Sequence, residues 1–429
     1  MEKKNEKSLI NLILINFTLF FLVTITVVYF YLNLNGSISI SSYAFNELFI
    51  NYQAGFIRRG LLGEIFWQIN KLFSLKPLIF FSYLFFILHL MQIYLFSKLF
   101  KAYRDFYYIY IIIFLSPALI LFPIYDVNLY FIKDVLVKLS ILYHAYIIIR
   151  NKNIKDNKVY IKTLKFILIP LLTIVMLVHE FQVLFLSIHL LLSISFMKSK
   201  NEITKILKLY SILLVPIILI LIFIGNSAQY ENLNLILKVF EIDNVHSQLA
   251  GGFYKTIGGF YKWHFYYFSY KDFIQLLLSL LLGVGIFFLF FNLLIKEKVL
   301  EFKNKHQKYY IYFFIPPLLC FLLALDHGRN ISLMATHLVV FYSVLTLDGK
   351  KLEIIKNKLD NDFLKKCLLI IFVFFYVFLW RLDQMAGFGG REQINSIFES
   401  SIFAEFAKFI KFLYGYIDIN IISLPAINL

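Results

Sequence analysis

The chain has 429 residues, of which 60% are hydrophobic and 19% aromatic, whereas an ordinary soluble domain is about 45–50% apolar. One soluble core cannot bury such an excess, and apolar runs of roughly 20 residues, enough to cross a ~30 Å hydrocarbon layer as helix, recur along the sequence. The formal net charge of +16 would suit a nucleic-acid-binding protein, but most Lys and Arg lie in short segments between apolar runs. Composition therefore indicates an integral membrane protein and no nucleic-acid partner.

The apolar runs are continuous rather than alternating, which predicts helices that satisfy their own backbone in lipid. The predicted fold class is all-α, a polytopic integral membrane protein. The first run is a retained helix, because it is too long for a signal-peptide core and has no small-residue cleavage site. About eleven transmembrane helices are predicted, near 9–33, 77–97, 107–124, 131–149, 164–180, 182–197, 206–224, 273–295, 309–325, 331–347 and 367–380.

The distribution of Lys and Arg predicts the orientation of this single transmembrane domain, 1–429. Positively charged residues concentrate in every alternate connection, as in cytoplasmic loops, so we expect a cytoplasmic N-terminus and a periplasmic or extracellular C-terminus. Three long segments then lie on the outer face: 34–76, the loop 225–272 and the amphipathic tail 381–429. The tail has apolar residues at helical spacing and is expected to lie flat on the interface.

The sequence excludes ATP-driven transport by this chain alone, because it lacks the features of a nucleotide-binding domain. No inner segment is large enough for a nucleotide-binding domain, and no P-loop or dinucleotide fingerprint occurs. Cys320 and Cys367 both lie in apolar runs, so neither a disulfide framework nor a Cys-based metal site is indicated. We expect no metal and no cofactor.

The first outer segment contains a pair of arginines, Arg58 and Arg59, flanked by glycines that allow a sharp turn within 43–64. Paired arginines are not needed for topology on this face, and the planar guanidinium group suits phosphate. Glu47 and Glu64 are expected to hold the pair in place. The alternative is an interfacial pair bound to lipid headgroups.

A second polar group surrounds the start of the fourth predicted span. Asp126 follows the third span, and Lys133 and Asp134 open the fourth, with His144 deeper on the same helix. Lys138 lies four residues beyond Asp134, so the two are expected to pair on one helix face. Ionisable residues in membrane helices usually line an interior or a cavity. A ligand site and a self-neutralising structural cluster are both open readings.

His179 and Glu180 end the fifth predicted span after an unbroken apolar stretch. An adjacent His and Glu at the outer end of a helix could act as a general base and its orienting acid. The pair is not part of an HExxH zinc motif, because position 183 is Val. The plainer alternative is a histidine that only satisfies the helix end.

The short link DHGRN at 326–330 is dense in polar groups for a tight outer connection. Arg329 could complete a phosphate clamp with Arg58 and Arg59, while Asp326 or His327 could accept a proton from a hydroxyl group. The alternative is a capped turn whose polar side chains bond the backbone.

The long outer loop repeats the sequence GGFYK at 251–255 and 258–262. Aromatic residues after glycine breaks indicate a re-entrant or interfacial segment, and contact with substrate or anchoring in the membrane are both open. A last polar cluster, RLDQMAGFGGRE, lies where the final span exits. The candidate substrate-binding residues of these segments are Lys255, Lys262, Trp263, Arg381 and Arg391.

In size, span count, outward-facing Arg, His and acidic groups and one long outer loop, the chain resembles Wzy-type O-antigen and capsular polysaccharide polymerases. The segment GFIRRGLLGE at 55–64 is also similar to membrane proteins of bacterial surface-polysaccharide loci. The resemblance implies an enzyme of the bacterial inner membrane that transfers a glycan from polyprenyl pyrophosphate to a hydroxyl group of a second lipid-linked repeat unit. It also implies membrane lipids, a polyprenyl-linked oligosaccharide and other polysaccharide-assembly membrane proteins as partners.

Within that resemblance, Arg58, Arg59 and Arg329 would stabilise the leaving group, and His179, Glu180 or Asp326 would activate the acceptor. One alternative is a transferase that uses a polyprenyl-monophosphate sugar and an acidic residue of the first outer loop, here Glu47. Another is a flippase or transporter of lipid-linked oligosaccharide, although no repeat of one half in the other is evident.

Overall fold

The computed structural model describes most of the chain up to residue 346. The described residues are 2–34, 43–57, 59–103, 107–125, 129–151, 157–197, 199–222, 227–238, 270–288, 312–323, 327–346, 371–373, 376 and 382. Regular structure in these ranges is entirely helical, which confirms the all-α prediction for this part of the chain.

Four helices among the described residues are long and apolar enough to cross a membrane: Leu12–Leu34, Pro77–Leu99, Asn157–Val178 and Lys200–Ile220. Each overlaps a span predicted from the sequence, although the last two begin several residues before the predicted spans 164–180 and 206–224. Between 22% and 39% of their apolar windows is buried inside the protein, so most of that apolar surface faces outward, as expected of helices in contact with lipid. These helices indicate a helical membrane protein, whereas the count of eleven spans and the orientation of the termini stay predictions.

The helices are numbered here in chain order. They are α1 (Glu2–Leu34), α2 (Tyr43–Glu47), α3 (Leu61–Phe73), α4 (Pro77–Leu99), α5 (Tyr107–Phe114), α6 (Phe122–Tyr125), α7 (Asp134–Asn151), α8 (Asn157–Thr163), α9 (Ile169–Val178), α10 (Gln182–Ser195), α11 (Lys200–Ser211), α12 (Leu214–Ile222), α13 (Ser227–Leu237), α14 (Tyr270–Leu280), α15 (Ile315–Leu318), α16 (Cys320–Leu323) and α17 (His327–Thr346). Five-residue π-helical turns join α8 to α9 and extend α14.

Two helices, α7 and α17, form the centre of the molecule. They pack against each other, α4 packs along α7, and α10 contacts both. Most side chains of α7 and all described side chains of α17 are buried, including ionisable ones. The apolar helices therefore surround two helices whose polar side chains are enclosed by protein, as the cost of a bare charge in lipid requires.

The segment predicted as the third span, 107–124, is not one continuous helix. Helix α5 ends at Phe114, and α6 begins only at Phe122. Pro117 disfavours the helical conformation of Ser116 and has no N–H for a helical bond. The Ser116 hydroxyl instead accepts the Ala118 N–H at 3.2 Å. The break leaves backbone carbonyls of this stretch available to side chains of other helices.

Two of the predicted outer segments fall largely outside the described residues. Of the loop 225–272, the structure describes 227–238 and 270–272, and of the tail 381–429 it describes residue 382 alone. The first outer segment is described from residue 43 onward, except residue 58.

Candidate functional site

Ionisable side chains from four separate parts of the chain meet at one end of the central helices. They come from the stretch between the last residue of α2 and α3, the start of α7, the junction of α9 with α10, and the first turn of α17. We call this set the charged cluster: Glu47, Arg59, Lys133, Asp134, His179, Glu180 and Arg329.

Arg59 connects two carboxylates at the edge of the charged cluster. Its Nη1 donates to Glu47 Oε1 at 2.5 Å, its Nε donates to Glu180 Oε2 at 2.5 Å, and its Nη2 also donates to Glu180. The side chains of Arg59 and Glu180 are 10% and 14% exposed, whereas that of Glu47 is 1% exposed. Arg59 and Glu180 therefore form the accessible edge of the cluster.

The backbone of Arg59 has a φ of +66°, which places a non-glycine residue in the left-handed region at a cost on the order of 1 kcal/mol. Lys133 holds this conformation, because its ammonium group donates to the Arg59 carbonyl at 3.0 Å and to the Glu47 carbonyl at 2.9 Å. Lys133 thus fixes the arginine-bearing turn and is not aimed at the exposed edge.

The glycines around the turn serve two different purposes. Gly55 has a φ of +104°, a conformation that favours glycine. Gly63 lies so close to the preceding chain that a Cβ atom there would be 2.1 Å from the Ile50 carbonyl oxygen. The expected sharp turn is therefore present, and α3 packs directly on the backbone that leads into it.

The prediction that Glu64 helps to hold Arg58 and Arg59 in place is wrong for Arg59. Its carboxylate accepts the Tyr52 N–H at 3.0 Å and the side-chain amides of Gln53, at 2.9 and 3.0 Å, and Gln68, at 2.6 Å. Glu64 anchors the 52–53 turn to α3 instead.

The interior half of the cluster is organised by Asp134. Arg329 Nε donates to Asp134 Oδ2 at 3.1 Å, and Arg329 Nη2 donates to Oδ1 at 2.9 Å. His179 Nε2 lies 2.7 Å from the same Oδ1, and the Phe181 N–H donates to His179 Nδ1 at 3.3 Å. Because Nδ1 accepts, the ring proton is on Nε2 and is donated to Asp134.

The predicted ion pair between Asp134 and Lys138 is not formed. Lys138 Nζ donates to the Leu119 carbonyl at 3.1 Å and to the Ser332 hydroxyl at 2.6 Å. Arg329, from a helix distant in sequence, takes the position beside Asp134, and the broken helix after α5 offers Lys138 a free carbonyl. The i to i+4 spacing of Asp134 and Lys138 could not reveal that Arg329 pairs with Asp134 or that a free carbonyl binds Lys138.

His179 and Glu180 do not act as the pair that their adjacency predicted. His179 follows the last residue of α9 in an extended conformation, with φ −150° and ψ 106°, which turns consecutive side chains in different directions. His179 therefore bonds Asp134, while Glu180 bonds Arg59. Both nitrogens of the buried His179 ring are occupied, so it orients the junction.

The charges of the cluster balance. Three cations, Arg59, Lys133 and Arg329, accompany three carboxylates. Burial opposes the ionisation of Glu47, but Arg59 first, and then Lys133 and Arg329, outweigh it and lower its pKa to about 2. Glu47 is therefore ionised throughout the physiological range and committed to Arg59.

The remaining candidates are His327 and a set of residues outside the described chain. His327 is 1% exposed and stacks on Phe321, with ring centroids 6.0 Å apart. The candidates outside the described residues are Arg58, Asp126, Lys255, Lys262, Trp263, Asp326, Arg381 and Arg391.

In the described part of the chain, no group of three or more His, Cys, Asp or Glu side chains is arranged to hold a metal ion. No protein-family model, curated protein or solved structure matches this chain. The charged cluster is therefore the feature of the described chain that best indicates a function.

Proposed function

We propose that the protein is a glycosyltransferase of the bacterial inner membrane that polymerises lipid-linked repeat units. It would transfer a growing glycan from polyprenyl pyrophosphate to a hydroxyl group of a second lipid-linked unit, as O-antigen and capsule polymerases do. The observation that carries the proposal is the accessible Arg59–Glu180 pair at the edge of an otherwise buried cluster. This reaction needs at least an arginine that can bind phosphate and, beside it, a carboxylate that can accept a proton.

The proposal includes the topology expected from the sequence, with about eleven spans, a cytoplasmic N-terminus and the charged cluster on the outer face. The positions of these residues within their helices support one shared face, because Asp134 is the first residue of α7 and Arg329 lies in the first turn of α17. Glu180 likewise lies just before α10. The opposite end of α10 leads into a Lys-containing connection, as expected of a cytoplasmic loop.

In the proposed reaction, a phosphate oxygen of the donor replaces the Glu180 carboxylate as a partner of Arg59. The guanidinium group has five N–H donors, so it can keep Glu47 while it exchanges Glu180 for phosphate. Both partners are anionic oxygens at an accessible edge, which makes the exchange close to balanced in charge. The Glu180 carboxylate is then released to act on the acceptor.

The transfer step balances in atoms and electrons. The acceptor hydroxyl gives its proton to Glu180, and its oxygen forms a bond to the anomeric carbon of the donor glycan. The bond from that carbon to the phosphate oxygen breaks, and the pyrophosphate leaves with the electron pair. Arg59 stabilises the charge that develops on the leaving oxygen.

The interior residues serve as positioning residues in this account. Asp134, Arg329 and His179 fix the α9–α10 junction from which Glu180 projects, and Lys133 fixes the turn that carries Arg59. Precise placement of reacting groups contributes much of a catalysed rate. Arg58 and Asp326 keep their predicted roles in the leaving-group clamp and in acceptor activation.

The alternative that uses a polyprenyl-monophosphate donor needs an acidic base in the first outer loop. Glu47 has that position, but it is buried, bonded to Arg59, and its pKa is lowered to about 2 by Arg59, Lys133 and Arg329 against the effect of burial. So weak a base is poorly matched to deprotonating a sugar hydroxyl. These contacts favour Glu180 as the base.

The test is incubation of purified protein with a polyprenyl-pyrophosphate-linked oligosaccharide, with the product resolved as a ladder on a gel. We expect a ladder from the wild type and a loss of about 100-fold or more in Glu180→Gln, since general bases contribute roughly 10²–10⁴-fold. Glu64→Gln is the matched control, because its carboxylate bonds neighbouring amides outside the charged cluster. It should retain the ladder.

Two outcomes would overturn the proposal. An undiminished ladder in Glu180→Gln would remove the proposed base. A substrate that stays unpolymerised but crosses the bilayer of wild-type proteoliposomes would instead identify a flippase or transporter.

A further inference from the structure

Helix α3, which begins two positions after Arg59, exposes large apolar side chains along one side. Leu72 and Phe73 are 78% and 68% exposed, and Ile65 is exposed as well. Ile65 lies seven residues before Leu72, which places both on the same side of the helix. We call Ile65, Leu72 and Phe73 the apolar ridge. A contiguous exposed surface of this kind marks contact with a protein or with a membrane.

The other two sides of α3 have different surroundings. Leu62 and Phe66 are buried against the rest of the protein. Glu64 accepts the side-chain amide of Gln68 at 2.6 Å, and Lys71, which follows at helical spacing on the same side, is exposed. The helix therefore has one side on protein, one polar side and one exposed apolar side. That combination is typical of a helix that lies in a membrane–water interface.

Aromatic contacts place α3 at the beginning of a helix that can cross a membrane. The ring of Phe66 packs against Phe80 and Phe81, with ring centroids 5.2 and 5.0 Å apart. Phe80 and Phe81 are the fourth and fifth residues of α4, which is long and apolar enough to span a bilayer. Phe66 lies seven residues before the end of α3, so α3 does not extend the axis of α4 outward. It instead folds back beside the start of that span, where the membrane boundary is expected.

The exposed side of α4 indicates what covers the apolar ridge. Ile79, Tyr83, Ile87 and Met91 recur every four residues and are all exposed, so they form a stripe along this helix. Such a stripe on a helix of spanning length faces lipid. Only residues 74–76 separate α3 from α4, so the apolar ridge ends where the stripe begins. This continuity favours lipid over a protein partner as the medium around the ridge.

The charges at the end of α3 suit lipid headgroups. Lys71 and Lys76 are both exposed, and Lys71 Nζ lies 5.7 Å from the ring centroid of Trp67. Lysine side chains can keep their apolar stems in lipid while the ammonium group reaches the phosphates, and tryptophan is enriched at the headgroup level. Cations and an aromatic ring therefore lie next to the apolar ridge, at the expected level of the lipid phosphates.

We propose that α3 is an interfacial helix seated in the membrane leaflet beside the charged cluster. The apolar ridge lies among the acyl chains, and Lys71 and Lys76 lie among the phosphate groups. Only Gly60 separates Arg59 from α3, so this seat holds Arg59 near the level of the lipid phosphates. The seat does not depend on glycan transfer, but it would bring a lipid-borne phosphate to Arg59 without lifting the lipid out of the membrane.

The test is the accessibility of spin labels on single-cysteine variants of the full-length protein in liposomes, with both native cysteines replaced by Ser. Relaxation by oxygen, which partitions into lipid, is compared with relaxation by a water-soluble nickel chelate. Ile87→Cys on the stripe of α4 gives the value for lipid, and Gln53→Cys on the exposed turn gives the value for water. For Leu72→Cys we expect a ratio of oxygen to nickel accessibility severalfold above that of Gln53→Cys and close to that of Ile87→Cys.

Gln68→Cys is the matched control, because residue 68 is an exposed position on the polar side of the same helix. Its ratio should be severalfold below that of Leu72→Cys. The replaced side chains are all exposed, so these variants should fold.

Two results would overturn the proposal. A Leu72→Cys label as accessible to the nickel chelate as the Gln53→Cys label would place the apolar ridge in water. A Leu72→Cys label that neither reagent relaxes would show that protein, such as a second copy of the chain, covers the ridge. Neither result bears on the ladder assay, so this proposal and the proposed function fail independently.

Discussion

The interaction between Asp134 and Arg329 offers the sharpest test of the charged cluster as a folded unit. Asp134→Asn keeps the shape of the side chain but removes the charge that both Arg329 and His179 face. The side chains of Arg329 and Asp134 are 4% and 2% exposed, so the guanidinium group would stay buried without its counter-ion. Removing one partner of a buried ion pair costs about 3–5 kcal/mol.

The assay is unfolding of the purified protein by titration with SDS in mixed micelles, followed through tryptophan fluorescence. Asp134→Asn should lower the free energy of unfolding by about 3–5 kcal/mol. Glu64→Gln, which changes a carboxylate outside the cluster that is bonded only to amide groups, should lower it by less than about 1 kcal/mol.

A double-mutant cycle separates the pair from its surroundings. Asp134→Asn combined with Arg329→Gln leaves two neutral amides and no buried charge, so the double variant should be more stable than the sum of the two single losses predicts. An Asp134→Asn variant within about 1 kcal/mol of the wild type, or strictly additive losses, would refute the reasoning.

Two further predictions concern the segment that carries Arg59. Gly63→Ala should lower the free energy of unfolding by several kcal/mol in the same assay, because its Cβ would be 2.1 Å from a backbone oxygen. In the control Gly285→Ala the Cβ meets nothing closer than 3.7 Å, so this change should be neutral or mildly stabilising. Equal effects of the two changes would contradict the close packing of α3. Arg59, Lys133 and Arg329 lower the pKa of Glu47 from 4.5 to about 2 against the effect of burial. The ionised carboxylate should therefore contribute roughly 3 kcal/mol to the free energy of unfolding above pH 4.5, and this contribution is lost as the pH falls toward 2. The stability gap between the wild type and Glu47→Gln should therefore narrow over that pH range, and a constant gap would count against the ionised form.

The sequence predicted the structural features that a single helix or a single turn determines by itself. Apolar length predicted the four helices that can cross a membrane, and glycine spacing predicted the sharp turn before Arg59. Both features follow from local chemistry, since a long apolar run can only be helix in lipid and a positive φ favours glycine.

Partner choice was not predictable, because it depends on which helices pack together. Asp134 pairs with Arg329, nearly two hundred residues away, rather than with Lys138 on its own helix. His179 and Glu180, adjacent in sequence, face different partners because the chain is extended between α9 and α10.

The central claim is that the charged cluster faces away from the cytoplasm. In a variant whose Cys320 and Cys367 are replaced by Ser, Gln53→Cys would report on the exposed turn beside the cluster and Asn201→Cys on the exposed start of α11. A membrane-impermeant maleimide added to intact spheroplasts should label position 53 at once and position 201 only after permeabilisation. Labelling of position 201 from outside, with position 53 protected until the membrane is opened, would place the cluster on the cytoplasmic side and contradict the account.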